Sequence, residues 1–365
     1  MSGPVHQRSL PRRDFVLLPL ISLLTALLLA GSAELIARTF WQEHFDFSCT
    51  YRDAAGETRH KANCTEHSKN TEGPWITYEF NDCGYRNPEP CGPKPPSTVR
   101  IALIGTSVAL GAYTPYSDLV STRAQAPLAK LWNSSVEFQN LGEVGPPFAE
   151  LYGLSDEVIA LQPDLVIFLV MPYDLKRFDD GLQVPQEQAP DLLGYLRNLQ
   201  DRLRSSRAAE VAMSHLLDQE NFALNTYMKS ADAMDITRVP VSEHLEQQFV
   251  KLSCLIGKIK TRLQKARVPL LVFPIPNRKE AAFLCRHICN ASIDGAVFTR
   301  RAGEICRKQN VDFIDVAPAL SRVERAEQLY YPLDGHLNSK GNRFLAEQLV
   351  AYFRDHALTT SAGQN

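Results

Sequence analysis

Three residues at the ends of predicted strands have the types needed for nucleophilic chemistry. Ser107 follows an apolar, β-branched run at residues 99–104, and Asp334 and His336 lie two positions apart on a loop near the C-terminus. A histidine that acts as base toward a serine needs a carboxylate to hold its tautomer and to stabilise the imidazolium. The sequence therefore predicts Ser107 as nucleophile, His336 as general base and Asp334 as the group that orients it.

Structural interpretations of the same residues stay open at this point. A serine between a strand and a helix is often only the cap of that helix. His336 could likewise cap the last helix, and Asp334 could satisfy only the backbone of its own loop.

An oxyanion site is predicted beside Ser107. The helix that follows Ser107 can aim backbone N–H groups and its positive dipole end at a developing charge. A second candidate donor is Gly145, at the end of the segment Asn-Leu-Gly-Glu-Val-Gly that follows the strand at 136–139. A tight turn is the alternative explanation, and a dinucleotide loop is disfavoured because that fingerprint belongs after the first strand.

Strand and helix signals alternate from residue 99 onward. They predict an α/β fold of the flavodoxin-like type, three layers α/β/α around a central parallel sheet of about five strands. Ligands bind at the carboxyl ends of such strands. A helical insertion at about 175–242 is predicted to be a lid, a docking surface or a solvated cap. The predicted strands are 99–104, 136–139, 165–171, 268–273 and 311–315, and the predicted helices are 118–132, 148–161, 192–205, 207–217, 243–266, 295–308 and 339–354.

The N-terminal region has the composition of a membrane anchor. Residues 15–33 carry no charge, and about 20 apolar residues are needed to cross the hydrocarbon layer. Basic residues precede this run, so residues 1–14 are predicted to be cytoplasmic and the rest periplasmic or extracellular, giving a single-pass topology. A cleaved signal peptide, ending near Ala33, and a buried core helix are the alternatives.

Eight cysteines agree with export, because an even number in a translocated chain favours disulfides. Four lie in the lead-in segment at 34–98 and four in the second half of the chain, so pairing within each group is expected. The lead-in segment itself is predicted to be rich in loops. The Cys285, His287 and Cys289 spacing departs from zinc knuckles, and no metal or cofactor is predicted. The formal net charge of −2 gives no case for nucleic-acid binding.

Taken together, these segments resemble the SGNH or GDSL-type hydrolase superfamily. The first block of that family matches Gly105-Thr106-Ser107 with Gly111, the second block matches Gly145, and the last matches Asp334 and His336. The segment 84–89, Gly-Tyr-Arg-Asn-Pro-Glu, is also similar to one that precedes the first strand in exported members. The resemblance covers roughly residues 78–175 and 265–355. The predicted domain spans residues 99–355 and is followed by a tail at 356–365.

The resemblance implies a serine esterase or O-acyltransferase that acts on an acylated glycan or lipid outside the cytoplasm. Two departures concern Thr106, which replaces the usual Asp, and the Asp-His spacing of two, which is similar to that of polysaccharide O-acetylating relatives. In the third block Tyr173 stands where an Asn completes the oxyanion hole, so Tyr173 is the predicted substitute donor. The alternatives are an inactive scaffold of this fold, or a subunit whose insertion docks a membrane acyltransferase partner.

Overall fold

A computed structural model describes residues 11–358 except 12, 55, 57, 144–150, 152, 177, 179–205 and 230–234. The chain divides into two units. One comprises Met1–Gln42 with Gln188–Met213, and the other comprises Glu43–Glu187 with Ser214–Asn365. The predicted helix at 192–205 and the loop that contains Gly145 lie outside the described residues.

Within the first unit, one long apolar helix, α1, spans Asp14–Phe40. It is long and apolar enough to cross a membrane, a property that a signal sequence near an N-terminus shares. The helix continues beyond the predicted end at residue 33. At its polar end the Glu34 carboxylate accepts hydrogen bonds from the Arg207 and Ala208 backbone N–H groups at 3.1 and 3.0 Å.

The lead-in segment is more regular than its sequence predicts. It contains two two-stranded antiparallel sheets, a disulfide between Cys49 and Cys64 next to them, and a second disulfide between Cys83 and Cys91 in the loop after the second sheet. Each strand has only three or four residues, too few for a clear period-two pattern. The strands are β1 Thr50–Arg52, β2 Thr58–His60, β3 Thr65–Ser68 and β4 Ile76–Glu79.

The central sheet confirms the predicted α/β fold. Its five strands are parallel in the order β6-β5-β7-β8-β9, so the first strand along the chain lies second in the sheet, as in flavodoxin-like folds. All six residues of β7 are buried. The strands are β5 Thr98–Gly105, β6 Ser135–Gly142, β7 Leu165–Val170, β8 Leu270–Pro274 and β9 Asp312–Phe313.

Helices cover both faces of this sheet. Alternate β7 side chains enter two different hydrophobic clusters, Ile167 on one face and Phe168 on the other, because successive residues of a strand point to opposite sides. The remaining helices are α2 Ser107–Leu110, α3 Val120–Trp132, α4 Ser155–Ala160, α5 Pro172–Lys176, α6 Arg207–Asp218, α7 Glu220–Lys229, α8 Glu243–Lys265, α9 Arg278–Cys285, α10 Val297–Lys308, α11 Ala317–Leu320 and α12 Ser339–Asp355.

The cysteine prediction is half right. The first four pair within their group, but Cys254, Cys285, Cys289 and Cys306 carry free thiols, which corrects the expectation for the second group. Cys306 is buried in the cluster on one face of the sheet, whereas Cys285 packs against the cluster on the other face. Burial raises the pKa of the Cys306 thiol to about 12.

Candidate active site

Ser107 lies at a sharp strand-to-helix turn. It is the first residue of α2, directly after β5, and Thr106 in extended conformation precedes it as the N-cap. Gly105 has a φ of +151°, and a Cβ there would lie 2.7 Å from the Leu169 carbonyl oxygen. Only glycine fits this approach, so the turn that presents Ser107 depends on it.

Asp334, His336 and Ser107 form one chain of hydrogen bonds. His336 Nε2 lies 2.7 Å from Ser107 Oγ, and His336 Nδ1 lies 2.6 Å from Asp334 Oδ1. A carboxylate can only accept, so Nδ1 carries the proton and Nε2 is left to accept from the serine hydroxyl. This is the arrangement in which an imidazole can remove a serine proton.

The loop that carries His336 is fixed from several sides. The Tyr331 N–H donates to the His336 carbonyl at 2.8 Å, and the Gly335 N–H donates to the Tyr331 carbonyl at 3.0 Å. Gly335 has a φ of +81°, a conformation in which glycine is unstrained. The Tyr113 ring meets the imidazole edge-on, with centroids 5.5 Å apart.

A buried carboxylate explains the Thr106 departure. Thr106 Oγ1 donates to Asp174 Oδ1 at 2.6 Å, and the Met171 N–H donates to Asp174 Oδ2 at 2.7 Å. Asp174 is 3% exposed. Thr106, where the resemblance implies an Asp, is therefore a hydroxyl with a buried acceptor of its own. Sequence reasoning missed this role, although a polar Thr106 at a buried turn was a signal for a partner.

Arg86, within the segment 84–89, holds the backbone that follows Ser107. Its fully buried guanidinium donates to the carbonyls of Leu110, Gly111 and Thr114 at 2.7, 2.7 and 2.8 Å. The Thr114 hydroxyl donates in turn to the carbonyl of Leu337, next to His336, at 3.1 Å. Burial lowers the pKa of Arg86 to about 10, which leaves it charged at neutral pH.

A cavity of about 150 Å³ opens onto Ser107 and His336. Tyr173 lines it with a side chain that is half exposed, and a Cβ on Gly335 would lie 3.4 Å from the Tyr173 hydroxyl. The Ser107 N–H, at the start of α2, is a second predicted donor. Gly145, the third, lies outside the described residues, so the structure brings together two of the three predicted oxyanion residues.

A larger cleft of about 520 Å³ borders the first cavity and shares Tyr173 and Gly335 with it. Its lining includes Lys229, Arg278 and Lys279, while Asp235 accepts from Lys279 at 2.8 Å. The Lys279 ammonium and the Thr237 hydroxyl lower the pKa of Asp235 against the opposing effect of burial.

Residues 238–365 match the family described as "SGNH hydrolase-like domain, acetyltransferase AlgX". The C-terminal third of the chain is therefore similar to an SGNH hydrolase-like domain. The match includes Asp334 and His336, whereas Ser107 lies outside the matched residues. It bears out the family resemblance and the enzyme class, which is SGNH-type serine hydrolase or acyltransferase. No curated protein matches the chain significantly.

A comparison with solved structures finds lipases and esterases among the matches. A lipase/acylhydrolase from Enterococcus faecalis is 13% identical, with a TM-score of 0.39 over 70% of this chain and 96% of its own. A variant of Axe2, an acetyl-xylooligosaccharide esterase from Geobacillus, is 13% identical, with a TM-score of 0.39 over 70% of this chain and 93% of its own.

Proposed function

We propose that the SGNH-like domain is a serine esterase or O-acyltransferase acting through Ser107, His336 and Asp334. The observation that carries this proposal is the continuous hydrogen-bond chain from Ser107 Oγ through both imidazole nitrogens to Asp334 Oδ1. The lining of the adjoining cavity by Tyr173 supports a role for its hydroxyl, beside the Ser107 and Gly145 N–H groups, in holding the oxyanion.

In the first half of the reaction, Ser107 Oγ attacks the ester carbonyl carbon while His336 Nε2 takes the hydroxyl proton. The carbonyl π electrons move onto the oxygen and form the oxyanion. When the tetrahedral intermediate collapses, the bond to the leaving alkoxide breaks and the alkoxide takes the proton from His336. The acyl group then remains on Ser107 as an ester.

In the second half, an acceptor hydroxyl gives its proton to His336 Nε2 and attacks the acyl carbonyl. The Ser107 ester bond breaks, and Ser107 Oγ recovers the proton. With water as acceptor the domain is an esterase, and with a sugar hydroxyl it is an O-acyltransferase. In both, Asp334 stabilises the imidazolium that forms twice per cycle.

The substrate proposed is an acylated glycan or lipid on the extracytoplasmic side, reached by a domain anchored through α1. A row of rings supports a site for such a molecule beside His336. Phe47 and Phe45 have centroids 6.4 Å apart, Phe45 and Tyr113 6.2 Å, and Tyr113 contacts His336. Aromatic side chains commonly line sites for ligands with apolar faces. The helices α6 and α7, in the insertion, are the proposed docking surface for a membrane acyltransferase partner.

The second candidate function is a binding scaffold that has kept the fold without fast catalysis. The observation that favours it is Tyr173, which stands where the family carries an oxyanion Asn. The two functions differ in turnover, since only the enzyme releases product from an ester.

Replacing Ser107 by alanine separates these functions. With p-nitrophenyl acetate as substrate, the enzyme proposal expects Ser107→Ala to lower kcat by at least about 10³-fold, because the nucleophile is lost. Ser117→Ala, an exposed serine ten residues away, is the matched control and is expected to keep wild-type kcat. Equal turnover by wild type and Ser107→Ala would favour the scaffold and refute the triad.

A further inference from the structure

The lead-in segment contacts the catalytic loop through one carboxylate. Glu72 lies in the turn between β3 and β4, outside the part of the chain that resembles the family. Its Oε2 accepts from the Leu333 and Asp334 N–H groups at 3.0 and 2.9 Å, and its Oε1 also lies 3.0 Å from the Leu333 nitrogen. One side chain thus holds two consecutive amides, the second belonging to the residue that orients His336.

A third donor holds the Glu72 carboxylate itself. Ser214 Oγ, on α6, donates to Glu72 Oε1 at 2.7 Å. Hydrogen bonds with an ionised acceptor are roughly twice as strong as neutral ones, and both oxygens of Glu72 are engaged. The carboxylate is therefore fixed in place before it fixes the loop.

The position of Asp334 depends strongly on this backbone. Asp334 Oδ1 accepts both from the His336 N–H at 3.0 Å and from His336 Nδ1, so a rotation of the peptides at 333–334 displaces both contacts. Gly335 follows, and a residue without a side chain adds no packing that could stiffen the loop. The Tyr331 N–H holds the His336 carbonyl on the far side of Gly335, and Glu72 holds the amides of Leu333 and Asp334 on the near side.

We propose that Glu72 is a positioning residue that keeps Asp334 in register with His336. The inference rests on the proposed function and adds the lead-in segment to the catalytic apparatus. Glu72 does not reach the reacting atoms. Its effect passes through the 333–334 backbone to the imidazole, so it should change the rate of the chemical steps and not the binding of substrate.

The kinetic test uses the full-length protein with Glu72→Ala and Glu72→Gln. Glu72→Ala is expected to lower kcat about 10- to 100-fold, the order that a misplacement of about 1 Å costs, with KM within about twofold of wild type. Glu72→Gln keeps one acceptor oxygen without the charge, so its kcat should lie between that of wild type and that of Glu72→Ala. Glu79→Ala, an exposed glutamate of the same segment, is the matched control and should equal wild type.

Two kinetic results would overturn the proposal. One is a kcat for Glu72→Ala within twofold of that of Glu79→Ala. The other is a fall in rate that disappears once it is normalised to the folded fraction measured by circular dichroism, because the loss would then be of folded protein. Glu72→Gln has the same shape as wild type, so a fall in its kcat is not attributed to a general folding defect.

Hydrogen exchange gives a readout that needs no activity. The amides of Leu333 and Asp334 are expected to exchange faster in Glu72→Ala, while the Asn338 amide, bonded to the Leu329 carbonyl, keeps its wild-type rate. Unchanged exchange at 333–334 would contradict the proposal. If wild-type turnover proves independent of Ser107, the proposed function fails, and this exchange measurement alone decides whether Glu72 holds the loop.

Discussion

At the scale of single residues, the site consists of the hydrogen-bonded side chains of Ser107, His336 and Asp334 and of a second, buried bond between Thr106 and Asp174. Ser107, Asp334 and His336 could be selected because their types are those of a triad and because they follow predicted strands. The spacing of two is explained by Asp334 Oδ1, which accepts from both the backbone and the ring of His336. The Thr106 to Asp174 bond spans 68 residues, so no local pattern could predict it.

The proposed role of the Tyr173 hydroxyl in the oxyanion site can be tested by substitution. If its hydroxyl donates to the oxyanion, Tyr173→Phe should lower kcat about 10²-fold, the usual cost of one lost donor, with little change in KM. Steady-state kinetics on p-nitrophenyl acetate measure both constants. Tyr51→Phe, on an exposed lead-in strand, is the control. A kcat for Tyr173→Phe equal to that of the control would leave the oxyanion to backbone groups.

At the scale of elements, the long periodic segments were predictable and the short ones were not. Predicted helices at 243–266 and 339–354 agree with α8 and α12 to within a residue. The helix α9, at Arg278–Cys285, was missed because its eight residues were too few for a clear period. The lead-in strands were not predicted for the same reason, although the alternate residues Ile76, Tyr78 and Phe80 are buried in one small hydrophobic cluster.

Within α9, Glu280 predicts a pH dependence of stability. It is fully buried in the N-terminal turn, and burial raises its pKa from 4.5 to about 8. Between these values the folded state holds a proton that the unfolded state has released, so stability should fall as pH rises from about 4.5 to about 8. One proton gives a slope of up to about 1.4 kcal/mol per pH unit.

Chemical denaturation at several pH values tests this slope. Glu280→Gln keeps an acceptor oxygen for the Asn277 N–H and does not titrate, so its free energy of unfolding should lose this contribution to the pH dependence. Glu324→Gln, at an exposed site, should keep the wild-type slope. Equal slopes for Glu280→Gln and wild type would mean that Glu280 does not carry the proton.

At the scale of the whole molecule, composition predicts an anchor and a separate catalytic region. The proposed triad, its cavity and the lead-in sheets all belong to the second unit, and α1 belongs to the first. The pairing of all eight cysteines could not be derived from an even count, because pairing requires proximity, and Cys285 and Cys306 pack on different faces of the sheet.

Charge placed in α1 tests the anchor. Leu20→Arg combined with Leu24→Arg should move the full-length protein from the carbonate-resistant membrane fraction to the soluble fraction. Each arginine costs roughly 2.5–3.5 kcal/mol at the centre of a spanning helix. Leu131→Arg, an exposed leucine of α3, is the control and should leave the protein in the membrane. Retention of the doubly substituted chain would argue against a spanning α1.

The central claim, that Ser107 is the nucleophile, is tested most directly by finding the acyl group. The full-length protein is incubated briefly with p-nitrophenyl acetate, quenched in acid, digested and analysed by mass spectrometry. The account predicts one acetyl group on the peptide that contains Ser107, absent from Ser107→Ala and strongly reduced in His336→Ala. Acetylation at another residue, or substrate turnover without any acetyl group on Ser107 at the earliest quench, would contradict it.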